Sequence, residues 1–484
     1  MTEKKPATVG LALIPIFVLI ALLAANVIVF GADATAGPNQ IALLLGAAVA
    51  GVVTWRLGYN WDEMEKSIVK SISSAMGAML ILMVIGSLSG TWLLSGIVPA
   101  MIYYGLKILN PTIFLFAACI VCCIVSLATG SSWSTIATVG IALLGIGKAL
   151  GLHEGWIAGA LISGAYFGDK MSPLSDTTNL APAMAGTDLF THVRYMVITT
   201  VPTLTITLII YFIAGFVLDT SAEAANQSEV LVAIDKAFDL NPLLFIVPAV
   251  VLFMIVRKVP AIPALLVGAL LGALAAVIFQ PEIVNQISGI NDNYLRSCGI
   301  AVMKAMSMNI SVQTDNAMIS DLLSSGGMGG MMNTIWLIIC AMIFGGTMEC
   351  AGLLKVIAEK IIAMAHSTGS LVASTAATCV FFNLTASDQY MAIAVPGRMY
   401  ADTYKKRGYK PELLSRTLED SGTVTSVLIP WNTCGATQSK VLGISTWTYA
   451  PYCFFCIISP LMTVAIAYLN IKIRRLNDPE PTKN

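Results

Sequence analysis

The chain has 484 residues, of which 57% are hydrophobic and only 11% are charged. Soluble globular proteins carry about 25% charged residues, so this composition excludes a soluble enzyme and a disordered chain. Lysine and arginine together number 27, as do aspartate and glutamate, so no excess positive charge is left to bind nucleic acid. The composition predicts an all-α, polytopic protein embedded in a lipid bilayer.

Ten apolar segments are long enough to cross the hydrocarbon core of a bilayer, which is about 30 Å thick. The first follows a short charged N-terminus and lacks a convincing cleavage site, so we interpret it as a membrane span and not as a signal peptide. The ten segments comprise residues 9–30, 40–56, 74–96, 155–184, 193–218, 241–257, 261–280, 332–350, 413–442 and 446–471.

Two further apolar stretches, residues 112–147 and 368–401, are too long for single spans and are interrupted by small polar residues. The interruptions read TGSSWST at residues 129–135 and NLTASDQ at residues 383–389. We predict two re-entrant hairpins, each made of two half-helices that meet at a tip inside the membrane. Such a tip leaves backbone groups unpaired, so it is stable only where protein or a water-filled cavity surrounds it.

The two halves of the chain match each other at an offset of 256 residues. Both hairpin tips coincide, with Thr129 on Thr385, and so do two later polar interruptions, with Asp176 on Asn432. Each half then contains five transmembrane helices plus one hairpin, and because five is odd the second half is inverted relative to the first. The predicted boundaries are a first repeat at residues 1–218, an extramembrane linker at 219–240 and a second repeat at 241–484.

The distribution of basic residues indicates the orientation. With the N- and C-termini in the cytoplasm, most Lys and Arg residues between spans fall inside and the acidic stretch from Asp219 to Asp239 falls outside, as the positive-inside rule requires. Lys107 and Lys148 count against this assignment. Two less apolar segments, residues 61–74 and 293–323, are predicted to lie along the membrane surface as linking arms.

The polar interruption at residues 169–179 contains two carboxylates, Asp169 and Asp176, at predicted mid-membrane depth. Pro173 lacks an amide hydrogen and breaks the helix there. Charge inside a bilayer is costly, so such residues are functional candidates by default. Hard oxygen ligands suit a dehydrated Na⁺ and hold transition metals poorly, and we expect no cofactor. The other oxygen-bearing candidates in this break are Ser172, Ser175, Thr177, Thr178 and Asn179.

The second half has a corresponding break at residues 430–435, where Pro430 again interrupts a helix. We predict two quasi-equivalent sites, each joining one tip to one break, and each retaining at least one acid. The tips and the second break contribute the candidates Thr129, Gly130, Ser131, Ser132, Thr385, Ser387, Asp388, Asn432 and Thr433.

A carboxylate without water around it is stabilised by binding either a proton or a cation. If the carrier crosses loaded with Na⁺ and returns with H⁺, this competition produces exchange. Asp176 is the first candidate for this switch, Asp169 the second, and Asp388 the candidate acid of the other half. The alternative is that Asp169 pairs with Lys170, or with a Lys or Arg from elsewhere in the chain, and only fixes the break. Arg398 either binds an anionic substrate or neutralises Asp388, and the three His residues are interpreted as solvated.

The stretch from Gly164 to Arg194, GAYFGDKMSPLSDTTNLAPAMAGTDLFTHVR, resembles the signature region of the NhaC family of sodium/proton antiporters. The tip ATGSSWSTIATVG is similar to the same family. The resemblance covers most of the chain and is strongest over residues 128–215. It implies sodium/proton exchange in a bacterial inner membrane by a homodimer, with a transport domain of hairpins and broken helices that moves like an elevator against a scaffold.

The resemblance also leaves an alternative substrate open, because some relatives exchange malate for lactate together with sodium and protons. An exchanger of this kind would hold a carboxylate at helix N-termini and hydroxyls of the tips. An intramembrane enzyme is disfavoured because Ser131 and Ser132 have no mid-span His to act as a base. A passive channel is disfavoured because broken helices in inverted repeats favour alternating access.

Overall fold

The computed structural model describes residues 4–30, 34, 36–218, 224–313 and 323–476. Within these residues, eight helices are long and apolar enough to cross a membrane, and the count rises to ten if each of two bent helix pairs is one span. The protein is therefore an all-helical, multi-pass membrane protein, as the composition predicted.

The first half of the chain is a succession of helices with short connections. A π-helical turn, Ile136–Gly140, joins the two α-helical parts of the second arm of the first hairpin. The α-helices are Val9–Phe30, Pro38–Arg56, Trp61–Leu94, Ile97–Ile108, Pro111–Thr129, Ser132–Thr135, Ile141–Ala149, Glu154–Met171, Asp176–Ala185 and Leu189–Val217.

The described part of the second half is also helical, apart from two short strands, Ile310–Ser311 and Ser324–Ser325, that pair antiparallel. Its irregular turns are the 3₁₀ segments Pro242–Phe245, Gly329–Met331, Ser426–Leu428 and Ala450–Tyr452 and the π segment Glu419–Thr423. The α-helices are Ala224–Ala237, Ile246–Val256, Ala261–Phe279, Pro281–Ser288, Tyr294–Ser307, Met332–Cys350, Leu353–Ala363, Thr368–Thr385, Gln389–Lys406, Pro411–Leu418, Thr433–Leu442, Thr446–Tyr449 and Phe454–Tyr468.

Several predicted spans match the observed helices to within a few residues. The predicted spans at 9–30 and 332–350 have the observed bounds, and those at 40–56 and 261–280 differ by two residues or fewer. The predicted arm at 61–74 is wrong as a separate element, because it continues into the following span as the single helix Trp61–Leu94. Asn60 starts this helix with a reciprocal capping box to Glu63, which fixes its beginning.

Other segments are more irregular than the sequence suggested. The last predicted span, residues 446–471, is bent by 53° next to Cys453. The second predicted arm, residues 293–323, is helical only over Tyr294–Ser307, and residues 314–322 lie outside the described part of the chain. The predicted linker includes the helix Ala224–Ala237, which packs on its neighbours through Val230, Ile234 and Phe238.

Both hairpins are interrupted where the sequence predicted a tip. The first runs from Pro111–Thr129 through Gly130 and Ser131 into the helical arm 132–149. Each of these arms is long and apolar enough to cross a bilayer by itself, so the arms are longer than the half-helices that we expected. The second hairpin pairs Thr368–Thr385 with Gln389–Lys406 around residues 386–388.

Small residues let the helices of this region approach closely. A Cβ atom on Gly164 would lie 2.2 Å from the carbonyl oxygen of Cys119, and one on Gly168 would lie 2.3 Å from the amide nitrogen of Leu127. The hydroxyl of Ser126 donates a hydrogen bond to the carbonyl of Ala165 across the same interface. Such contacts are the usual means of joining helices in lipid, and here they fix the broken helix Glu154–Met171 against the first hairpin.

Candidate ion-binding cavity

A cavity of approximately 950 Å³ lies where the two tips and the two breaks meet. We call it the central cavity. Its walls combine polar residues of both halves with apolar residues of the long helix Trp61–Leu94 and of the turn at residues 258–263. The polar lining includes Thr129, Gly130, Ser131, Asp169, Ser175, Asp176, Thr177, Asp388, Gln389, Tyr390 and Thr433.

Asp169 is the carboxylate of this wall with the most complete set of hydroxyl partners. It lies in the last turn of the helix Glu154–Met171 and is only 8% exposed. The hydroxyl of Ser132 donates to its Oδ2 at 2.6 Å, and the hydroxyl of Ser175 donates to its Oδ1 at 2.6 Å. Because Ser132 follows the first tip and Ser175 belongs to the first break, one carboxylate joins three segments of the chain.

The sequence around Asp169 explains why the helix stops there. Pro173 cannot continue the hydrogen-bond ladder, and the next helix begins only at Asp176. The last carbonyl groups of an α-helix have no partner within it. The hydroxyl of Thr178 donates to two of them, those of Asp169 and Lys170, at 2.8 and 2.9 Å. Thr178 therefore holds the helix end from the side of the break.

Two further predicted residues also support the break without facing the cavity. The hydroxyl of Ser172 accepts a hydrogen bond from the amide of Leu174 at 3.2 Å. The side-chain amide of Asn179 donates to the carbonyls of Pro173 and Ser175 at 2.9 and 2.7 Å. These contacts fix the loop that carries Ser175, so Ser172 and Asn179 act on the shape of the site.

The first tip fits directly against the first break. Gly130 ends its helix with φ 71°, a left-handed conformation that favours glycine. A Cβ atom on Gly130 would lie 2.6 Å from the Cβ of Leu174, so a larger residue would push the tip away from the break. Ser131 starts the following helix and accepts a hydrogen bond from the amide of Ser134. Thr129 has only long contacts of 3.4 to 3.5 Å with its neighbours and lines the cavity.

The second tip is built differently. Asp388 is 1% exposed and is the N-cap of Gln389–Lys406, where its Oδ1 accepts a hydrogen bond from the amide of Met391 at 2.9 Å. Ser387 has φ 58°, an unfavourable value for a residue with a side chain, and its buried hydroxyl makes no hydrogen bond with any residue that the structure describes. Thr385 donates to the carbonyl of Phe381 within its own helix.

The second tip also contacts the second break. The amide of Thr433 donates to the carbonyl of Ser387 at 3.0 Å. Asn432 caps the helix Thr433–Leu442 and donates through its side-chain amide to the carbonyl of Asn383 at 3.1 Å. Asn383 in turn donates to the carbonyl of Gly422 at 2.7 Å. In the structure, each tip therefore contacts the break of its own half.

Two expectations about these sites are wrong. The first is that the two halves form two separate sites, because residues of both halves line the same cavity. The second is the burial of Asp176, which lines the cavity but is exposed. Asp176 is the first residue of a helix, where its charge is stabilised by the helix N-terminus and by solvent. The desolvated acid of the first break is thus Asp169.

The alternative partner for Asp169 is also excluded by the geometry. Lys170 forms an ion pair with Asp420 and not with Asp169, and no basic side chain among the described residues forms an ion pair with Asp169. Arg398 is exposed and donates to the carbonyl of Ala394 at 3.3 Å, so it does not neutralise Asp388 here. His192, interpreted from sequence as solvated, is fully buried and its Nδ1 lies 2.8 Å from the hydroxyl of Ser415.

Sequence reasoning gave little weight to one buried group. Glu419 and Asp420, which are not among the predicted site residues, are fully buried in the π-helical segment Glu419–Thr423, and Arg416 is fully buried just before it. Three charged residues within five positions, in a stretch predicted to span the membrane, were the available signal. Lys258, which also lines the central cavity, gave no such signal, because it stands in a basic turn between two spans.

The comparisons with known proteins agree with the character of this cavity. The profile of the Na⁺/H⁺ antiporter family matches residues 164–471. A Na⁺/H⁺ antiporter NhaC of Alkalihalophilus pseudofirmus is 34% identical over 472 residues, which cover 97% of each chain. A malate-2H⁺/Na⁺-lactate antiporter of Bacillus subtilis is 35% identical over 433 residues, which cover 89% of each chain.

A third relative has a different type of substrate in its name. The arginine/ornithine antiporter ArcD of Halobacterium salinarum is 34% identical over 484 residues, which cover 99% of this chain and 95% of that one. All three relatives are transporters and none is an enzyme by name. The family match over 164–471 and the near full-length similarity to NhaC together show that the chain is a member of the Na⁺/H⁺ antiporter family.

Proposed function

We propose that this protein exchanges Na⁺ for H⁺ across the membrane by alternating access, with the carboxylate of Asp169 binding the two cations in turn. The observation that carries the proposal is the environment of this carboxylate. It lies at the wall of the central cavity, is nearly inaccessible, and is held by the hydroxyls of Ser132 and Ser175 without a basic partner among the described residues.

This arrangement suits both cations. A serine hydroxyl donates one hydrogen bond and has two lone pairs on its oxygen, so it donates to an empty carboxylate and coordinates Na⁺ after rotating. Ser132 and Ser175 are both fully buried, which keeps the hydroxyls beside the carboxylate. When a proton occupies Asp169, the site is neutral and lacks the charge that attracts Na⁺. One carboxylate therefore favours occupancy by one cation at a time.

Helix boundaries support the proposed internal repeat. Gly96 and Gly352 are 256 residues apart, both have positive φ, and each directly precedes a short amphipathic helix. Thr129 and Thr385 have the same separation and each ends the first arm of a hairpin. We infer that the two halves are inverted copies, and that the hairpins and broken helices move together against the long helices of the scaffold.

The distribution of basic residues and the similarity to bacterial antiporters support a location for the protein in the cell. We infer a bacterial cytoplasmic membrane, with both termini in the cytoplasm, from the positive-inside distribution. The homodimer implied by the family resemblance and the re-entrant course of the hairpins stay predictions.

A second candidate function is exchange of a small organic acid together with Na⁺ and H⁺. Lys258 lines the central cavity, and the cavity volume of approximately 950 Å³ greatly exceeds the needs of one cation. The helices that start at Asp176, Gln389 and Thr433 place their N-termini at this cavity, and helix N-termini favour anions. The malate/lactate relative makes this the specific alternative.

Reconstituted protein separates the two functions. Purified protein in liposomes that contain a pH-sensitive dye is exposed to a Na⁺ gradient, first without any organic acid and then with malate or lactate. The proposal predicts Na⁺-driven movement of protons without organic acid, and none in protein-free liposomes. If proton movement requires malate or lactate, the second function is correct. If neither condition moves protons, both are wrong.

A further inference from the structure

Lys170 follows Asp169 in the chain and is itself completely buried. Its ammonium group forms an ion pair with Asp420 and donates to the hydroxyl of Ser459 at 3.1 Å. It also lies 5.4 Å from the centre of the Phe455 ring. None of these partners lines the central cavity, so Lys170 is anchored on the side of the helix away from it.

The ion pair of Lys170 and Asp420 connects four separate segments of the chain. Asp420, in the π-helical segment of the second half, accepts hydrogen bonds from Thr199 at 3.2 Å and from Ser459 at 3.3 Å. Thr199 lies in Leu189–Val217 and Ser459 in Phe454–Tyr468, while Lys170 ends Glu154–Met171. One buried carboxylate thus joins three helices to the π-helical segment.

Other charged and titratable groups surround the pair. The Nε of Arg416 lies 3.9 Å from Oδ2 of Asp420, and its guanidinium group lies 4.5 Å from the centre of the Tyr195 ring. Glu419 is fully buried and neither of its oxygens has a hydrogen bond among the described residues. The cluster therefore contains two basic residues, Lys170 and Arg416, and two acidic residues, Asp420 and Glu419.

Helix geometry connects this cluster to the cavity. Successive residues of an α-helix are rotated by about 100°, so a helix end that is fixed through Lys170 is fixed in rotation. The same rotation sets where the side chain of Asp169 points. Thr178 donates to the carbonyls of both residues, which ties the two neighbours to one backbone position.

We propose that Lys170 is a positioning residue for cation binding, because its buried pair with Asp420 sets the position of the Asp169 carboxylate without touching the ion. The inference rests on the proposed function, since it assumes that Asp169 binds Na⁺. A carboxylate that is no longer held between Ser132 and Ser175 loses ion affinity, because binding requires preorganised ligands. The number of transported ions per cycle is unaffected.

The choice of variants must separate positioning from folding. Removing one partner of a buried ion pair leaves an unpaired charge and strongly destabilises a protein, whereas replacing both partners by neutral residues is often tolerated. The informative variant is therefore Lys170→Met combined with Asp420→Asn. A second variant, Lys170→Arg, keeps the charge but replaces a compact ammonium by a planar fork.

The test measures equilibrium binding of ²²Na⁺ to purified protein in detergent and, separately, the KM and kcat of exchange in liposomes. For the double variant we expect Na⁺ affinity to fall about tenfold and KM to rise equally, with kcat within about threefold of the unmodified protein. For Lys170→Arg we expect the same direction with a smaller change.

The matched control is the double change Lys148→Met and Glu154→Gln. The two charged groups are 3.5 Å apart and partly exposed; Glu154 begins the helix that ends at Met171, and Lys148 lies in the preceding helix Ile141–Ala149. We expect normal Na⁺ binding in this control. Unchanged Na⁺ binding in Lys170→Arg and in a folded double variant would overturn the inference, and if the double variant does not fold, Lys170→Arg decides alone. Unmodified protein that binds ²²Na⁺ but moves no protons would refute the proposed function and leave the binding comparison valid.

Discussion

The two buried aspartates of the central cavity, Asp169 and Asp388, have different tasks. Asp169 ends a helix and receives two side-chain hydroxyl hydrogen bonds of 2.6 Å. Asp388 begins a helix, and its Oδ1 accepts the backbone amide of Met391. One acid thus accepts hydrogen bonds from two side-chain hydroxyls that can rotate, and the other caps a helix through a backbone amide.

The difference teaches that equivalent positions in a repeat need not keep equivalent chemistry. An aspartate at a helix N-cap is stabilised in its charged form by backbone amides and by the helix dipole. At Asp388 the carboxylate serves this structural role, because its Oδ1 caps the helix Gln389–Lys406. The carboxylate of Asp169 is held between the flexible hydroxyls of Ser132 and Ser175, so we expect it to be the better exchange site.

The largest effect is expected when the charge of Asp169 is removed. Asp169→Asn lacks both the titratable proton and the negative charge, so we expect the rate of Na⁺-driven proton movement to fall by about 100-fold or more. The change is measured in liposomes that contain equal amounts of folded protein, judged by size-exclusion chromatography.

A matched control is Asp402→Asn. Asp402 is exposed on the helix Gln389–Lys406 and does not line the central cavity. We expect exchange at the normal rate in this control. Substantial exchange by Asp169→Asn would assign the switch to another acid and remove the contrast between the two sites.

The next largest effect is expected at the hydroxyls. Ser132→Ala and Ser175→Ala each leave one carboxylate oxygen without its partner, and we expect each to raise the KM for Na⁺ by about tenfold. Thr385→Ala is the control, because Thr385 donates within its own helix and should leave KM unchanged. If the KM for Na⁺ of Ser132→Ala and of Ser175→Ala equals that of the unmodified protein, the hydroxyls are not ion ligands.

A smaller effect is expected at Asp388. Asn is as good an N-cap as Asp, so Asp388→Asn should keep thermal stability and raise KM by no more than about threefold. Asp388→Ala removes the cap and should lower the free energy of unfolding by about 1 kcal/mol. Thermal unfolding in detergent checks the stability of both variants, and transport in liposomes checks the KM of Asp388→Asn. Loss of exchange in Asp388→Asn would make Asp388 a second exchange site.

The smallest effect is expected at Asp176, the acid that sequence reasoning placed first. Because its side chain is exposed, Asp176→Asn should change KM by less than about threefold and leave kcat intact. Salt should reduce even this change, since the attraction is screened in solvent. Complete loss of exchange would restore Asp176 to the central role that the sequence gave it.

Much of the fold was predictable because it depends on apolar length and on helix breakers. The spans at 9–30 and 332–350, the two hairpin tips and both breaks at Pro173 and Pro430 follow from local sequence. The sequence did not predict that the helix Trp61–Leu94 includes the polar segment at its start. Amphipathicity alone does not distinguish a surface arm from the end of a long helix.

The composition of the site was also predictable, since costly polar residues in an apolar stretch mark a function. The ranking of its acids was not. Asp169 and Asp176 stand seven residues apart around one proline, and only the packed structure shows that the first is buried and the second exposed. The pairing of Lys170 with Asp420 joins positions 250 residues apart, and no local pattern in the sequence predicts it.

Competition between the two cations is best tested by the dependence of the Na⁺ KM on pH. Exchange by the unmodified protein is measured in liposomes at about one-unit steps from pH 6 to pH 9, with Na⁺ varied at each pH. The account predicts that KM rises as the pH falls, while the maximal rate at saturating Na⁺ remains reachable, because protons and Na⁺ occupy the same carboxylate. A KM that is constant across this range would contradict it.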